Sequence, residues 1–176
     1  MIIEKSFCID KNVKAGEDIE VDYIEKSLVS ILIKKNIRIS TAESITGGLV
    51  ASRIVNIAGA SEIFEEGYIT YSDRVKNKVL GVKRETLSKY TAVSEEVCYE
   101  MLKNLKNIAK TDSVIVTTGY AGPGENAGLA FVGINLFNYF IIKKINVKGG
   151  RNEIRKKISN IALFELYRIC KNQYKI

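Results

Sequence analysis

The order in which hydrophobic periods change along this chain constrains its fold more than any other feature. Helix-spaced segments alternate with short strand-like runs as far as residue 117, and two strand-like segments then follow one another directly. Asp22 reads as an N-cap, with Ile24, Leu28, Ile31 and Leu32 at helical spacing behind it. Ile37-Arg38-Ile39 alternates like a short strand, and Leu49, Ile54, Val55 and Ile57 predict a helix that starts near residues 46–48 and stops at Gly59. Gly67 to Tyr71 reads as a strand, with a short helix through Val75 and Leu80 after it. Ser94 caps an amphipathic helix with Glu95 and Glu96 in its first turn and Val97, Met101, Leu105 and Ile108 on its apolar face. Ser113 to Thr117 reads as a buried strand, and Phe131–Leu136 and Phe140–Val147 as a hairpin around Asn138. A last helix begins at Arg151 and buries Ile154, Ile158 and Ile161. This order predicts an α/β fold, a three-layer α/β/α sandwich with a mixed β-sheet. Residues 1–21 stand apart as a short N-terminal appendage with one strand from Ile2 to Ile9, and 22–176 form the domain.

Composition removes several classes of function. The chain has no histidine, and its three cysteines, Cys8, Cys98 and Cys170, are widely separated and odd in number. A zinc site or disulfide framework is therefore not expected, and the cysteines read as free thiols. No metal ligand and no cofactor is expected. The formal charge of +7 is densest at Lys143-Lys144, Lys148 and Arg151-Arg155-Lys156-Lys157. No recognition-helix or aromatic-basic motif accompanies it, so nucleic acid is disfavoured as a partner. Most of the charge reads as solvated surface, with a share free to attract a phosphorylated small molecule. No apolar run reaches the ~18 residues that span a bilayer. The N-terminus has no apolar core of the signal-peptide kind, and a cytoplasmic protein is expected.

The stretch ISTAESITGG, Ile39 to Gly48, concentrates polar groups between a strand and a helix. Ser44 can be read as a capping residue or as a nucleophile at a helix N-terminus, where unpaired amides favour negative charge. In the second reading Thr46, Gly47 and Gly48 stabilise an oxyanion. Without histidine, the base must be lysine, tyrosine or a carboxylate. TYSDRVK supplies Tyr71 and Lys76, and a desolvated lysine can lose its proton near neutral pH. A third cluster, TGYAGPGENAG, holds the only proline, Pro123. It is neither a Walker A loop nor a dinucleotide fingerprint, but its amides can face a phosphate or ribose.

In order and spacing, three segments resemble the CinA C-terminal domain family: AES-x-TGG at residues 42–48, YS-x-x-x-K at 71–76 and TG-x-AGP at 118–123. The resemblance extends over roughly residues 22–172. Active members of the family are nicotinamide mononucleotide (NMN) deamidases of the PncC type. The resemblance implies a three-layer sandwich and hydrolysis of the NMN carboxamide to nicotinic acid mononucleotide and ammonia. It puts the catalytic serine at Ser44, with Tyr71 and Lys76 as partners. Gly119, Ala121, Gly122 and Asn126 are then expected at the ribose phosphate, with Arg151 or Arg155 neutralising its charge. It also suggests a homodimer or larger assembly. The chain departs from the family where a Lys-Pro is usual, since Ala130 and Phe131 stand there. That departure motivates a second reading, a non-catalytic nucleotide-binding or regulatory homologue. Ile45 also replaces the usual cysteine of ESCT, a core-like exchange.

Overall fold

The structure, a computed structural model, describes residues 18–175, and the strand expected at Ile2–Ile9 lies outside them. Helix α1 (Asp18–Lys34) leads into strand β1 (Ile39–Glu43) and helix α2 (Leu49–Val55). Strand β2 (Phe64–Ile69) follows, then helices α3 (Asp73–Leu80), α4 (Arg84–Tyr90) and α5 (Glu95–Ala109). Strands β3 (Ser113–Gly119), β4 (Leu129–Leu136) and β5 (Tyr139–Asn146) come next, and α6 (Arg151–Tyr174) closes the chain. The five strands form one mixed sheet in the order β2-β1-β3-β4-β5. β1 is parallel to both of its neighbours, and β4 and β5 are added antiparallel. The expected α/β architecture is what the chain adopts.

Alternation along the strands sends apolar side chains to both faces, which makes three layers. On one face Ile39, Ile115, Val132 and Ile134 pack with Leu28 and Leu32 of α1, Val50 and Ile54 of α2, and Ile158 and Leu166 of α6. On the other, Ala42, Val114, Val116 and Phe131 pack with Leu80 of α3 and with Val97, Met101 and Leu102 of α5. Each fully buried side chain of this kind contributes about 1.5–3 kcal/mol of transfer free energy. Ser94 caps α5 by accepting from the Val97 amide at 3.2 Å, with Glu95 and Glu96 in the first turn, as its sequence indicates. β3 is buried from Ser113 to Thr118.

Several local expectations need correction. Asp22 lies inside α1 rather than at its cap, because the helix already includes Asp18. β1 runs into the polar motif as far as Glu43, since parallel neighbours on both sides hold its backbone extended whatever its side chains. α2 ends at Val55, and Gly59 instead caps a short 3-10 turn, Ala60–Glu62. β2 stops at Ile69, which leaves Tyr71 beyond the strand. Ile108 is 44% exposed, at the margin of the stripe set by Cys98, Met101, Leu102 and Leu105.

Candidate active site

The carboxyl ends of parallel strands gather ligand-binding residues in open α/β sheets, and the polar motif lies there. Ser44 follows β1 directly, and its amide continues the ladder to the Thr117 carbonyl at 2.9 Å. Ser44 is 7% exposed. Its side chain falls on the α3 side of the sheet, the side of Ala42 two residues earlier.

Lys76 comes to it from α3. Ser72 caps that helix, with its hydroxyl accepting from the Val75 amide at 3.3 Å, and Asp73 occupies the first turn. Lys76 and Leu80, one turn apart, share the buried face, so the lysine enters the core beside a leucine. It is only 1% exposed. Its Nζ donates to Ser44 Oγ at 3.2 Å, and the nearest carboxylate oxygen, Asp73 Oδ1, is 4.0 Å away. Burial pushes the Lys76 pKa below the usual lysine value, and Asp73 opposes this only in part. A buried lysine against a buried serine hydroxyl, with no close ion pair, is suited to give and take a proton.

The 44–48 turn is shaped from below by a group that sequence reasoning did not single out. The Glu43 carboxylate, 1% exposed, accepts from the amides of Gly48 at 2.9 Å, Val50 at 3.1 Å and Ala51 at 2.8 Å. It caps α2 from the preceding strand, where an ordinary N-cap would come from the turn itself. Gly47 and Gly48 bring the chain round at φ 58° and 96°, which side chains rarely adopt. The expectation that Gly48 offers its amide to an anion is therefore corrected, since Glu43 already takes it. Among the described residues the amides of Ile45, Thr46 and Gly47 have no protein acceptor. The Thr46 and Thr117 hydroxyls hydrogen-bond at 2.8 Å in the core and pin the turn to β3.

Arg155 of α6 holds the other side of the turn. Its guanidinium donates to the carbonyls of Ile45 at 3.3 Å and Thr46 at 2.9 Å, and to Asn152 Oδ1 at 3.4 Å. It is thus engaged with the backbone. Arg151 is exposed and bridges two of the other segments, donating to the Tyr71 hydroxyl and to the Gly122 carbonyl at 2.7 Å each. Tyr71 is 59% exposed and makes no hydrogen bond to Ser44 or Lys76. The structure therefore brings Ser44, Lys76, Thr46 and Gly47 into one cluster, and joins Tyr71, Arg151 and Gly122 in a second, outer one. Ala121 is buried, and Asn126 is an exposed loop residue whose carbonyl accepts from the Leu129 amide. Gly119 has a packing role: a Cβ there would lie 2.6 Å from Ala130 Cβ and 2.8 Å from Ile45 Cδ1. Ala130 and Phe131, which stand where the family has Lys-Pro, are core residues of β4 on opposite faces of the sheet.

These features define an α/β domain with a serine–lysine pair at the carboxyl end of a parallel strand. The chain belongs to the CinA family: the CinA C-terminal domain model matches residues 21–170. It is 46% identical over 145 residues to a CinA-like protein of Kosmotoga olearia, covering 80% of this chain and 35% of that protein. A CinA-like protein of Fusobacterium nucleatum is 46% identical over 161 residues, 88% of this chain and 39% of the relative. This chain thus spans little more than a third of the curated relatives it matches. Among solved structures, a competence-damaged protein (CinA) superfamily protein of Escherichia coli superposes with a TM-score of 0.83 at 29% identity, covering 88% of this chain and 93% of the other. A competence or damage-inducible protein of Enterobacter asburiae gives 0.82 at 32% identity, covering 85% and 98%.

Proposed function

We propose that this domain hydrolyses the carboxamide of NMN, releasing ammonia and nicotinic acid mononucleotide, with Ser44 as nucleophile and Lys76 as base. The observation that carries this reading is the buried 3.2 Å contact between Lys76 Nζ and Ser44 Oγ. The substrate is what the resemblance to the deamidases implies. Neutral Lys76 takes the hydroxyl proton as Ser44 Oγ attacks the amide carbon. The amides of Ile45, Thr46 and Gly47 face the developing oxyanion, where preorganised donors act in a dry site. Lys76 returns the proton to the departing nitrogen, the C–N bond breaks and ammonia leaves. A water molecule then gives its proton to Lys76 as its oxygen attacks the acyl carbon. Ser44 Oγ recovers that proton when the ester breaks, and the acid leaves as its carboxylate, giving the water's remaining proton to solvent. Tyr71 assists at the entrance, and the Gly119–Asn126 loop with Arg151 faces the ribose phosphate.

The test is ammonia release from NMN by wild type, Ser44→Ala and Lys76→Met, alongside NMN binding by calorimetry. Turnover in wild type and its loss in both variants, with the fold unchanged, is the expected outcome. Binding without ammonia release would favour a non-catalytic nucleotide-binding homologue, the reading raised by Ala130 and Phe131. Turnover in Lys76→Met would remove the lysine from the mechanism.

A further inference from the structure

Thr70 lies one residue past the end of β2, fully buried, and its hydroxyl has no hydrogen-bond partner in the structure. Of the described buried side chains, Ser40, Thr41 and Asn135 also carry an unpartnered polar atom. Thr70 alone of these stands at the carboxyl end of the strands. Its amide donates to the Glu43 carbonyl at 2.8 Å, continuing a ladder in which Glu43 pairs with Ile69. That register sets Thr70 beside Ser44 on the neighbouring strand, about 4.8 Å away in backbone spacing. Ile69 lies against Gly48 on the α2 side, so Thr70 turns to the opposite face, the one from which Lys76 reaches Ser44.

Lone-pair geometry shows what such a hydroxyl can do. For Lys76 to take the Ser44 proton, its lone pair must point at Oγ, and the two N–H groups of the neutral amine then need acceptors elsewhere. In a buried site an unmet donor is costly. The nearest carboxylate oxygen, Asp73 Oδ1 on the same helix, lies 4.0 Å from Nζ, beyond hydrogen-bond reach. Beyond the end of β1 the polar side chain on this face is Ser44 itself, and the face of α5 packed there is apolar, with Val97, Cys98 and Met101. On β3, Thr118 flanks Ser44 on the same face, but its hydroxyl is engaged with the Ala92 carbonyl at 2.7 Å. On β2, Glu66 lies four residues before Thr70, about 13 Å down the strand, so Thr70 is the hydroxyl there without a partner.

We propose that Thr70 is a positioning residue for Lys76, its hydroxyl accepting one N–H of the amine so that the lone pair is held on Ser44. This rests on the serine–lysine reading above. A χ1 rotation of Thr70 moves the oxygen while the methyl keeps the packing. The acceptor binds the ammonium more strongly than the amine, so it also steadies the proton once Lys76 has it.

Thr70→Val keeps the shape and removes the oxygen, and Thr70→Ser keeps the oxygen. Two readouts apply: the pH profile of ammonia release from NMN, and the titration of Lys76 followed by NMR of 13Cε-labelled lysine, assigned with Lys76→Met. In Thr70→Val, kcat falls about tenfold or more with KM nearly unchanged, and Lys76 titrates at lower pH than in wild type. Thr70→Ser restores both. The lysine titration needs no substrate, so it decides the matter even if NMN is not turned over. An unmoved Lys76 titration in folded Thr70→Val overturns the proposal. Thr70→Ala serves the same comparison if the valine variant does not fold.

Discussion

Removing the Glu43 carboxylate should weaken the fold far more than losing an ordinary helix cap. A single N-cap side chain replaced by alanine costs about 0.5–2 kcal/mol. Glu43 instead accepts three amides, at 2.8, 2.9 and 3.1 Å, from a position 1% exposed. Hydrogen bonds to a charged acceptor are worth about 1.5–3 kcal/mol each, but three on one carboxylate are not additive. Leaving the three donors unmet also lets the first turn of α2 fray, at residues whose helix has only seven members. For Glu43→Ala we expect a loss of about 3–5 kcal/mol. At about 2–4 °C per kcal/mol for a domain of this size, Tm falls by about 6–20 °C. Glu43→Gln separates the contributions. One oxygen, Oε2, serves both Gly48 and Val50, so the amide oxygen can take that place. Its NH2 then faces the Ala51 donor, and the loss is limited to about 1–3 kcal/mol. Urea unfolding followed by circular dichroism, with the m-value compared between variants, measures both. An alanine variant within about 1 kcal/mol of wild type would refute the reasoning, because it would mean the carboxylate holds nothing that water does not replace.

Lys76→Met should raise stability at neutral pH. The folded pKa of Lys76 lies below its ordinary value of 10.5, so the folded state resists protonation there. The resulting destabilisation is complete below the folded pKa and disappears as pH rises to the ordinary value. Wild type should therefore gain on the methionine variant across that alkaline window, as urea titrations at a series of pH values would show, and a constant difference would count against it. Thr46→Val and Thr117→Val should each cost about 1–3 kcal/mol by stranding the other hydroxyl, while the double variant costs less than their sum. A double-mutant cycle with no coupling would exclude the 2.8 Å contact. Gly119→Ala should cost about 1–3 kcal/mol through overpacking against Ala130 and Ile45, read as a fall in Tm.

Much of this protein was legible in its order of residues. The period of the apolar positions, the cap at Ser94, and the unbroken run from Ser113 to Thr117 are local signals, because each depends on neighbours within a turn or a strand. They carried the alternation of elements, and with it the mixed sheet. Ser44 and Lys76 could be picked out by residue type and by the lack of histidine. Sequence did not decide that the lysine is buried, because its place one turn before Leu80 marks a helix face without saying what covers it. Packing of α3 over the strand ends made that choice, and desolvation followed from it.

The partners of the turn were beyond sequence for the same reason. Glu43 meets the amides of α2, Arg155 reaches back over more than a hundred residues to Ile45 and Thr46, and Tyr71 meets Arg151 instead of Ser44. Each contact depends on directions set only when β1 lies between β2 and β3. The sequence by itself determined which elements form and which residue types could do chemistry. The tertiary structure decided which of them meet, because burial, hydrogen-bond direction and charge environment belong to the assembled sheet and not to any segment of it.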